Sequence, residues 1–284
     1  MDKRATDELR EVVARALAED LGSGDVTTDA VVPADARGRA SIVQKQAGVL
    51  FGLDAAAEAL RRTGAESFDP LVGEGQWRED VPATAARVAG PARALLAGER
   101  VALNLLGHLS GIATLTAQFV RAVEGTGARV LDTRKTTPGL RMLEKAAVAA
   151  GGGTNHRVGL YDAILIKDNH AAIAGGVGEA ARRAREAANG LAIEVECADD
   201  EQIREAVEAG ADRLLLDNYT PVELAEAVSL VGELADGSRP EIEASGGITL
   251  ETVRDFASAG VDFVSVGALT HSAPNLDVSL EMQG

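Results

Sequence analysis

In LDTRKTTPG (131–139) an apolar run ends in two adjacent cations, Arg134 and Lys135, although the chain has only five lysines against 44 acidic residues. A lysine so placed asks for an anion. Two further segments offer the same chemistry. Asn155-His156-Arg157 follows Gly151 to Gly153, a run that reads as a loop able to approach a ligand closely. Lys167, in AILIKDNH, follows four apolar residues. It reads either as a Schiff-base nucleophile of depressed pKa or as a fixed cation for an anionic substrate, paired with Asp168 while the site is empty. Arg134, Lys135, His156 and Arg157 as companions favour the fixed cation. Converging charged or planar donors suit a substrate with more than one carboxylate plus phosphates, because guanidinium groups hold carboxylates in a bidentate way.

Glu196 and Asp217 end two successive apolar segments. Mg²⁺ accepts hard carboxylate oxygens, with water and substrate phosphates completing the shell. This pair is therefore the expected metal site, reached mostly through water. Ser245-Gly246-Gly247 and Gly267-Ala268 end two later segments. Glycine there lets backbone N–H groups turn toward an anion, and a helix expected from near Thr249 would add its positive end, making a phosphate cradle. Each feature alone is more often a solvated strand end or an ordinary turn; their co-occurrence outweighs that reading. His108, His170 and His271 read as packing or capping residues, and Trp77 and Cys197 as structural. No zinc spacing such as CxxC or HExxH is present.

Such residues need a scaffold that gathers them. After Gly127 the chain alternates strand and helix, with strands expected at 129–133, 163–167, 192–196, 213–217, 241–245 and 263–267. Thr220-Pro221-Val222-Glu223 carries the N-cap, Pro and Glu of a helix start. Asp199 with Gln202 repeats the pattern, and Gly210 marks that helix's stop. Six apolar strands in βα alternation mean a parallel sheet covered by helices. Polar groups at every strand end favour a barrel, whose strand ends converge on one face, over an open sheet, which scatters them. Before Gly127 the texture differs. An amphipathic helix is expected over 4–20, strand-like pieces at 38–46, 48–53 and 86–96, and a long helix from Gly98 toward Glu124. The expected fold is α/β, with an N-terminal α/β domain (1–115) and an α/β barrel domain (116–284).

The formal net charge of −16 argues against nucleic acid or an anionic membrane as partner. A lone cysteine excludes an intrachain disulfide and fits a reducing cytoplasm, and no stretch approaches membrane-spanning length. A soluble cytoplasmic protein is the expectation.

The runs GDVTT (24–28), GERVALNLLGHLSGIAT (98–114), DTRKTTPGLRMLEKAAVAAGGGTNHRVGLYDAILIKDNH (132–170), EVE (194–196), LLLDN (214–218), EASGGI (243–248) and SVGALTHSAP (265–274) closely resemble the quinolinate phosphoribosyltransferases, carboxylating nicotinate-nucleotide pyrophosphorylases. The resemblance covers nearly the whole chain. It implies an N-terminal α/β domain plus an incomplete, open parallel α/β barrel, whose C-terminal tail packs back on the N-terminal domain. The implied assembly is a homodimer with active sites shared between subunits, or a hexamer of such dimers. It also implies a pentosyl transfer with Mg²⁺: quinolinate and phosphoribosyl pyrophosphate give nicotinate mononucleotide, pyrophosphate and CO2, in NAD biosynthesis. By the same resemblance Arg134, His156, Arg157 and Lys167 hold the quinolinate carboxylates, with Arg100 from the neighbouring subunit. Thr133 and Lys135 line the site, Lys135 near the pyrophosphate. Glu196 and Asp217 serve ribose and metal, and Ser245 to Gly247 with Gly267-Ala268 cradle the 5′-phosphate. Read locally, Arg100 is a surface arginine at a helix start.

The chemistry of such a transfer suits these residues. Departure of pyrophosphate builds positive charge on the ribose carbon and negative charge on the leaving group, which Lys135 and Mg²⁺ would stabilise. The alkylated ring nitrogen then supports a carbanion at the adjacent carbon, so CO2 can leave without a general base. Three rival readings use the same residues: transfer to another acceptor such as nicotinate, a Schiff-base lyase using Lys167, and a non-catalytic metabolite-binding protein.

Overall fold

The computed structural model describes residues 3–235, 237 and 239–283. The chain begins with α1 (Lys3–Leu21), α2 (Val26–Val31), β1 (Arg37–Gln44), β2 (Gly48–Val49), α3 (Leu53–Thr63), β3 (Ser67–Pro70), β4 (Trp77–Arg78), β5 (Ala83–Pro91) and α4 (Ala92–Ala122). It continues through β6 (Arg129–Leu131), α5 (Arg141–Ala150), β7 (Ile164–Ile166), α6 (Asp168–Ala174), α7 (Val177–Ala187), β8 (Ile193–Cys197) and α8 (Asp200–Glu208). Last come β9 (Arg213–Asp217), α9 (Pro221–Leu234), β10 (Glu241–Ser245), α10 (Val253–Ser258), β11 (Phe263–Ser265), α11 (Ala268–His271) and β12 (Val278–Gln283).

Two compact units result. One comprises Met1–Ala117, Thr136–Gly152 and Ala268–Gly284; the other comprises Gln118–Lys135 and Gly153–Gly267. In the first, β12, β1, β5 and β3 pair in that order as an antiparallel sheet, so the chain's last strand joins one of its earliest. Leu9, Val12, Val13 and Leu17 of α1 share a face and are buried, as their spacing requires. α5 receives its N-terminal cap from α1: Glu8 Oε1 accepts the Met142 N–H at 2.9 Å and the Leu143 N–H at 3.3 Å. These two amides would otherwise be orphaned at a helix start.

Some expected strands are helix instead. Of 48–53 only Gly48–Val49 is strand, and Leu53 opens α3. The expected strand over 86–96 ends at Pro91, and α4 starts six residues before Gly98 because Ala92-Arg93-Ala94-Leu95-Leu96 are strong helix formers. α3 itself, an Ala- and Leu-rich run closed by Gly64 in the left-handed region, was a readable helix that the strand-like pattern around it obscured.

The second unit holds six parallel strands in the order β6-β11-β10-β9-β8-β7. Numbered by their sequence within the unit, this is first-sixth-fifth-fourth-third-second, the cyclic order of a barrel with one pairing missing. The seam lies between β6 and β7. A parallel bridge from Leu131 to Thr154 lays the 153–157 segment along the β6 side of it. α6 to α10 contact one another in succession. The sheet is thus an open barrel, and the six expected strands are all present. α9 has the full capping box of Thr220 and Glu223 with Pro221 at its start. In α8 Asp199 accepts the Gln202 N–H, but Gln202 Oε1 takes the Ala198 N–H, one residue earlier than a capping box would. α10 begins at Val253 rather than near Thr249; the intervening residues form a turn in which Thr249 O accepts from Val253 N.

Gly151 serves packing rather than loop freedom. A Cβ there would lie 2.4 Å from Ala113 O and 2.7 Å from Thr116 Cβ, so α5 leaves its last turn pressed against α4. Gly151→Ala is expected to destabilise the protein by about 1–3 kcal/mol, as overpacking does. Urea unfolding measures this, and an unchanged midpoint and slope would show that the segment is loosely held.

Candidate functional site

Barrel pleating decides which side chains meet. Successive strand residues point to opposite faces, so Glu194 and Glu196 share a face of β8, Leu215 and Asp217 of β9, and Glu243 and Ser245 of β10. The parallel register places Glu196 beside Leu215, Leu215 beside Glu243, and Asp217 beside Ser245. A pocket of about 380 Å³ sits at these strand ends. Its walls bring together Thr133, Arg134, Lys135, His156, Arg157, Lys167, Glu196, Asp217 and Ser245, with Leu165, Leu215, Glu243 and Ser265 at the base. Gly246 and Gly247 continue from Ser245, while Gly267 and Ala268 follow β11 and do not line the pocket. Arg100 is exposed on α4, in the first unit.

The cations come from either side of the seam. Arg134 and Lys135 follow β6, Arg157 lies in the segment bridged to it, and Lys167 follows β7. The Arg157 guanidinium donates to Ala163 O at 3.1 Å, and its Nε is buried without a hydrogen-bond partner among the described residues. Burial, and then the neighbouring Arg134 charge, lower its pKa. A half-buried guanidinium beside another cation is completed by an anion. Lys167 is half exposed and pairs with Glu196 at 3.8 Å, rather than with Asp168 as the sequence suggested. It lacks the apolar enclosure that activates a Schiff-base lysine.

The acids stand opposite. Burial raises the pKa of Glu196; Lys167 lowers it, while Asp217 and Asp168 raise it again. Carboxylates that repel one another at adjacent strand ends offer the hard oxygens a Mg²⁺ ion takes. A second acid cluster, His156, Glu194 and Glu243, has ligand atoms within 4.8 Å of one another. Those atoms are spent on each other, and the Arg213 guanidinium lies 3.4 Å from Glu243, which disfavours a cation there. A larger cavity of about 610 Å³ flanks Asp217 on its other side, but Asp199, Asp200, Glu201, Glu223 and Glu226 line it. Its sign is wrong for an anionic substrate.

His156 is in the pocket wall with both ring nitrogens engaged. Its Nδ1 accepts the Arg157 N–H at 2.6 Å, and its Nε2 donates to Glu194 at 2.8 Å. Its backbone N–H donates to the fully buried Asp132 at 2.8 Å. His108 bonds the buried Glu144 at 2.8 Å, His170 accepts the Lys167 N–H, and His271 bonds Ser272, as packing and capping residues do. Buried Cys197 has its thiol pKa pushed up to about 12 and is inert.

With this geometry, comparison with known proteins is decisive. The quinolinate phosphoribosyl transferase C-terminal domain matches residues 112–281, and the corresponding N-terminal domain matches residues 25–110. The chain belongs to the quinolinate phosphoribosyltransferase family. It is 43% identical over 281 residues to a probable carboxylating nicotinate-nucleotide pyrophosphorylase of Bacillus subtilis (strain 168), covering 97% of this chain and 93% of that protein. It is 43% identical over 283 residues to the carboxylating nicotinate-nucleotide pyrophosphorylase of Mycobacterium leprae (strain TN), covering 97% and 98%. The solved nicotinate-nucleotide pyrophosphorylase of Francisella tularensis superposes with a TM-score of 0.92 at 34% identity, over 98% of this chain and 96% of that one.

This member of the quinolinate phosphoribosyltransferase family carries residues at or beneath the site that the strand-end pattern passed over: Glu194, Glu243 and Ser265. Glu194 and Glu243 were signalled by period two. Each precedes a strand-end residue by two positions, so each lies one layer deeper on the same face. Asp132, which the strand-end pattern did include, is buried and takes the His156 backbone N–H.

The Ser245–Gly247 turn is fixed by Asn218. Asn218 N donates to Ser245 O at 2.8 Å, and a Cβ on Gly246 would lie 2.3 Å from Asn218 Oδ1 and 2.7 Å from its backbone nitrogen. Gly246 also has φ +102° and Gly247 φ +61°, where other residues are strained. Gly246→Ala is therefore expected to cost about 1–3 kcal/mol and to weaken binding of inorganic phosphate. Denaturation and calorimetry check both. Unchanged phosphate affinity in a folded variant would remove this turn from the anion site.

Proposed function

We infer that the protein is a quinolinate phosphoribosyltransferase in action as well as in descent. It joins quinolinate to the ribose of phosphoribosyl pyrophosphate and releases pyrophosphate and CO2, leaving nicotinate mononucleotide for NAD biosynthesis. One observation carries the reading. A single pocket sets Arg134, Lys135, Arg157 and Lys167 against Glu196 and Asp217, so that substrate anions and a developing sugar cation each meet the opposite charge.

Arg134, Arg157 and Lys167 hold the two carboxylates of quinolinate, with His156 in the same wall, and orient the ring nitrogen toward the ribose carbon. The nitrogen lone pair forms the new C–N bond as the C–O bond to pyrophosphate breaks. Lys135 receives the leaving group, Thr133 lines the wall beside it, and Glu196 and Asp217 face the cationic sugar. The C–C bond to the carboxylate beside the alkylated nitrogen then breaks. Its electron pair stays on the ring carbon, which takes a proton. Ser245, Gly246 and Gly247 receive the 5′-phosphate, with Gly267 and Ala268 beyond them. Glu196 and Asp217 would hold Mg²⁺, mainly through water, and the ion would supply neutralisation of the pyrophosphate charge. The mutual repulsion of these acids supports that assignment.

Mixing protein, Mg²⁺, phosphoribosyl pyrophosphate and quinolinate should yield nicotinate mononucleotide by mass, with one CO2 per turnover and loss of both when the metal is chelated. Nicotinate as sole acceptor should yield no CO2. Lys135→Ala should lose affinity mainly for phosphoribosyl pyrophosphate and Arg157→Ala mainly for quinolinate, each by roughly 1.5–3 kcal/mol, the worth of a charge-assisted contact. Equal losses for both ligands in both variants would refute this division of roles.

The same proposal includes a cytoplasmic homodimer in which Arg100 of the partner subunit reaches quinolinate. Exposed Arg100 on α4 and a lone, buried Cys197 are compatible with it. Among the described residues no helix is long and apolar enough to cross a membrane. Arg100→Ala and Lys135→Ala enzymes should each be nearly inactive, and refolding them together should restore part of the activity. In a mixed dimer one site lacks both residues and the other lacks neither. A mixture that stays inactive, with mixed dimers confirmed by mass spectrometry, would place Arg100 outside a shared site.

A further inference from the structure

Arg157 reaches the pocket from a stretch without regular structure, between the segment bridged to β6 and the start of β7. Upstream the backbone is anchored. Thr154 N donates to Val130 O at 2.8 Å and Asp132 N to Thr154 O at 3.2 Å, a parallel pairing. Continued, that register would send the His156 N–H to the Asp132 carbonyl. It goes instead to the Asp132 carboxylate at 2.8 Å. Downstream, Ile164 N donates to Ala192 O at 2.9 Å as β7 begins beside β8. Residues 157–163 lie between these anchors. Leu160 and Tyr161 at the tip are exposed, so apolar burial does little to shape the loop.

Polar contacts shape it. The Asp162 side chain reaches back along the chain, where Oδ2 accepts the Val158 N–H at 2.7 Å and Oδ1 the Gly159 N–H at 2.8 Å. Two successive amides turned onto one carboxylate form a small anion-binding concavity, filled here by the chain's own side chain. Both ends of this clamp touch the frame of Arg157. Val158 follows Arg157 directly, and the guanidinium donates at 3.1 Å to the carbonyl of Ala163, the residue after Asp162. The backbone of the arginine and its head group are therefore set by the same loop. Asp162 itself stands outside the pocket wall, whereas Arg157 is part of it.

We propose that Asp162 is a positioning residue of the reaction: by holding the Val158 and Gly159 amides it fixes the path of 157–163, and with it the direction in which Arg157 meets a substrate carboxylate. The substrate half of this rests on the proposed function. A carboxylate suits the task because it offers an acceptor to each amide. In Asp162→Asn the side-chain NH2 would face one of them, donor against donor. Direction matters because a guanidinium holds a carboxylate through two parallel N–H bonds, which a turned head group cannot both make. The Asp162 charge also acts with Glu194 against the burial and the Arg134 charge that lower the Arg157 pKa.

Two measurements on the full chain test the proposal. In calorimetry, Asp162→Asn should weaken quinolinate binding by about tenfold, close to the worth of one charge-assisted contact, and leave phosphoribosyl pyrophosphate affinity unchanged. In the Arg157→Ala background the same substitution should cost quinolinate nothing further, since a residue that acts through another is non-additive with it. Undiminished quinolinate affinity in Asp162→Asn, or a loss repeated in full without Arg157, overturns the proposal. The second measurement needs no substrate. Amide hydrogen exchange in the ligand-free wild type should find Val158 and Gly159 protected. In Asp162→Asn both should exchange at least about tenfold faster, while the His156 amide, held by Asp132, keeps its rate. Rapid exchange of both amides in the wild type overturns the clamp without recourse to any variant. Protected amides in a wild type that does not bind quinolinate would support the clamp and refute only the substrate assignment.

Discussion

An ion inside a protein costs several kcal/mol unless an opposite charge and hydrogen bonds hold it. The barrel meets that constraint before it can present a site. Arg213, Glu194, Glu241 and Glu243 lie on the inward side of β8, β9 and β10, one layer or more below the strand ends. Arg213 stacks on Phe263 at 4.1 Å and bonds Glu241; Arg129 stacks on the same ring at 4.2 Å and bonds Glu241 at 3.2 Å. Burial pulls the Arg213 pKa down, but the hydrogen bond to Glu241 and then the nearby Glu194 charge outweigh it, and the group stays a cation. Above this pair Glu194 and Glu243 face His156, at 2.8 Å and 3.5 Å. The column of charge is thus neutralised stepwise from the start of the strands to the pocket floor. Arg213, Glu241 and Glu243 are each held by at least two neighbours, so the residues above stand on a fixed base.

The seam gives the pocket its polarity. Strand order leaves β6 and β7 unpaired with each other, and the cationic side chains come from the ends of those two strands and the segment bridged to β6. The acids come from β8, β9 and β10, across the barrel. A protein of net charge −16 would repel a polyanion over most of its surface. Concentrating cations along one side of one cavity overcomes that field at short range, where low dielectric walls strengthen each contact. The cations along the seam also leave the acids free to face positive charge, so one cavity accommodates both signs.

Much of this was legible in the sequence because the relevant signals are local. The six barrel strands announced themselves as apolar runs of strand length, and the cap at Thr220 was written in four consecutive residues. The pocket cations were legible for a different reason: lysine is scarce here, and a charge ending an apolar run has few structural explanations. Other features depend on partners distant in sequence. Gly151 reads as loop flexibility until α4 is placed against it. Glu8 reads as a helix-surface acid until α5 needs a cap. Lys167 could be matched to adjacent Asp168 by proximity alone, but the pleat sends it to Glu196 on the next strand. Glu194 and Glu243 were the readable omission, since period two from Glu196 and Ser245 already pointed them inward.

The Lys167–Glu196 pair shows how the two sides of the pocket depend on one another. At 3.8 Å and with Lys167 half exposed, the pair is weak in itself. It nevertheless stabilises the ionised form of Glu196 against burial and against Asp217 and Asp168. In the proposed reaction a substrate carboxylate draws Lys167 away. Glu196 is then left with two acidic neighbours and a partly buried charge, which only another cation can offset. Anion binding on the seam side therefore raises the demand for a cation on the acid side, and a bound cation in turn frees Lys167 for the anion. Reciprocity of this kind is required of any two coupled sites. Here it needs no conformational change, because one lysine shared across the pocket is enough to carry it.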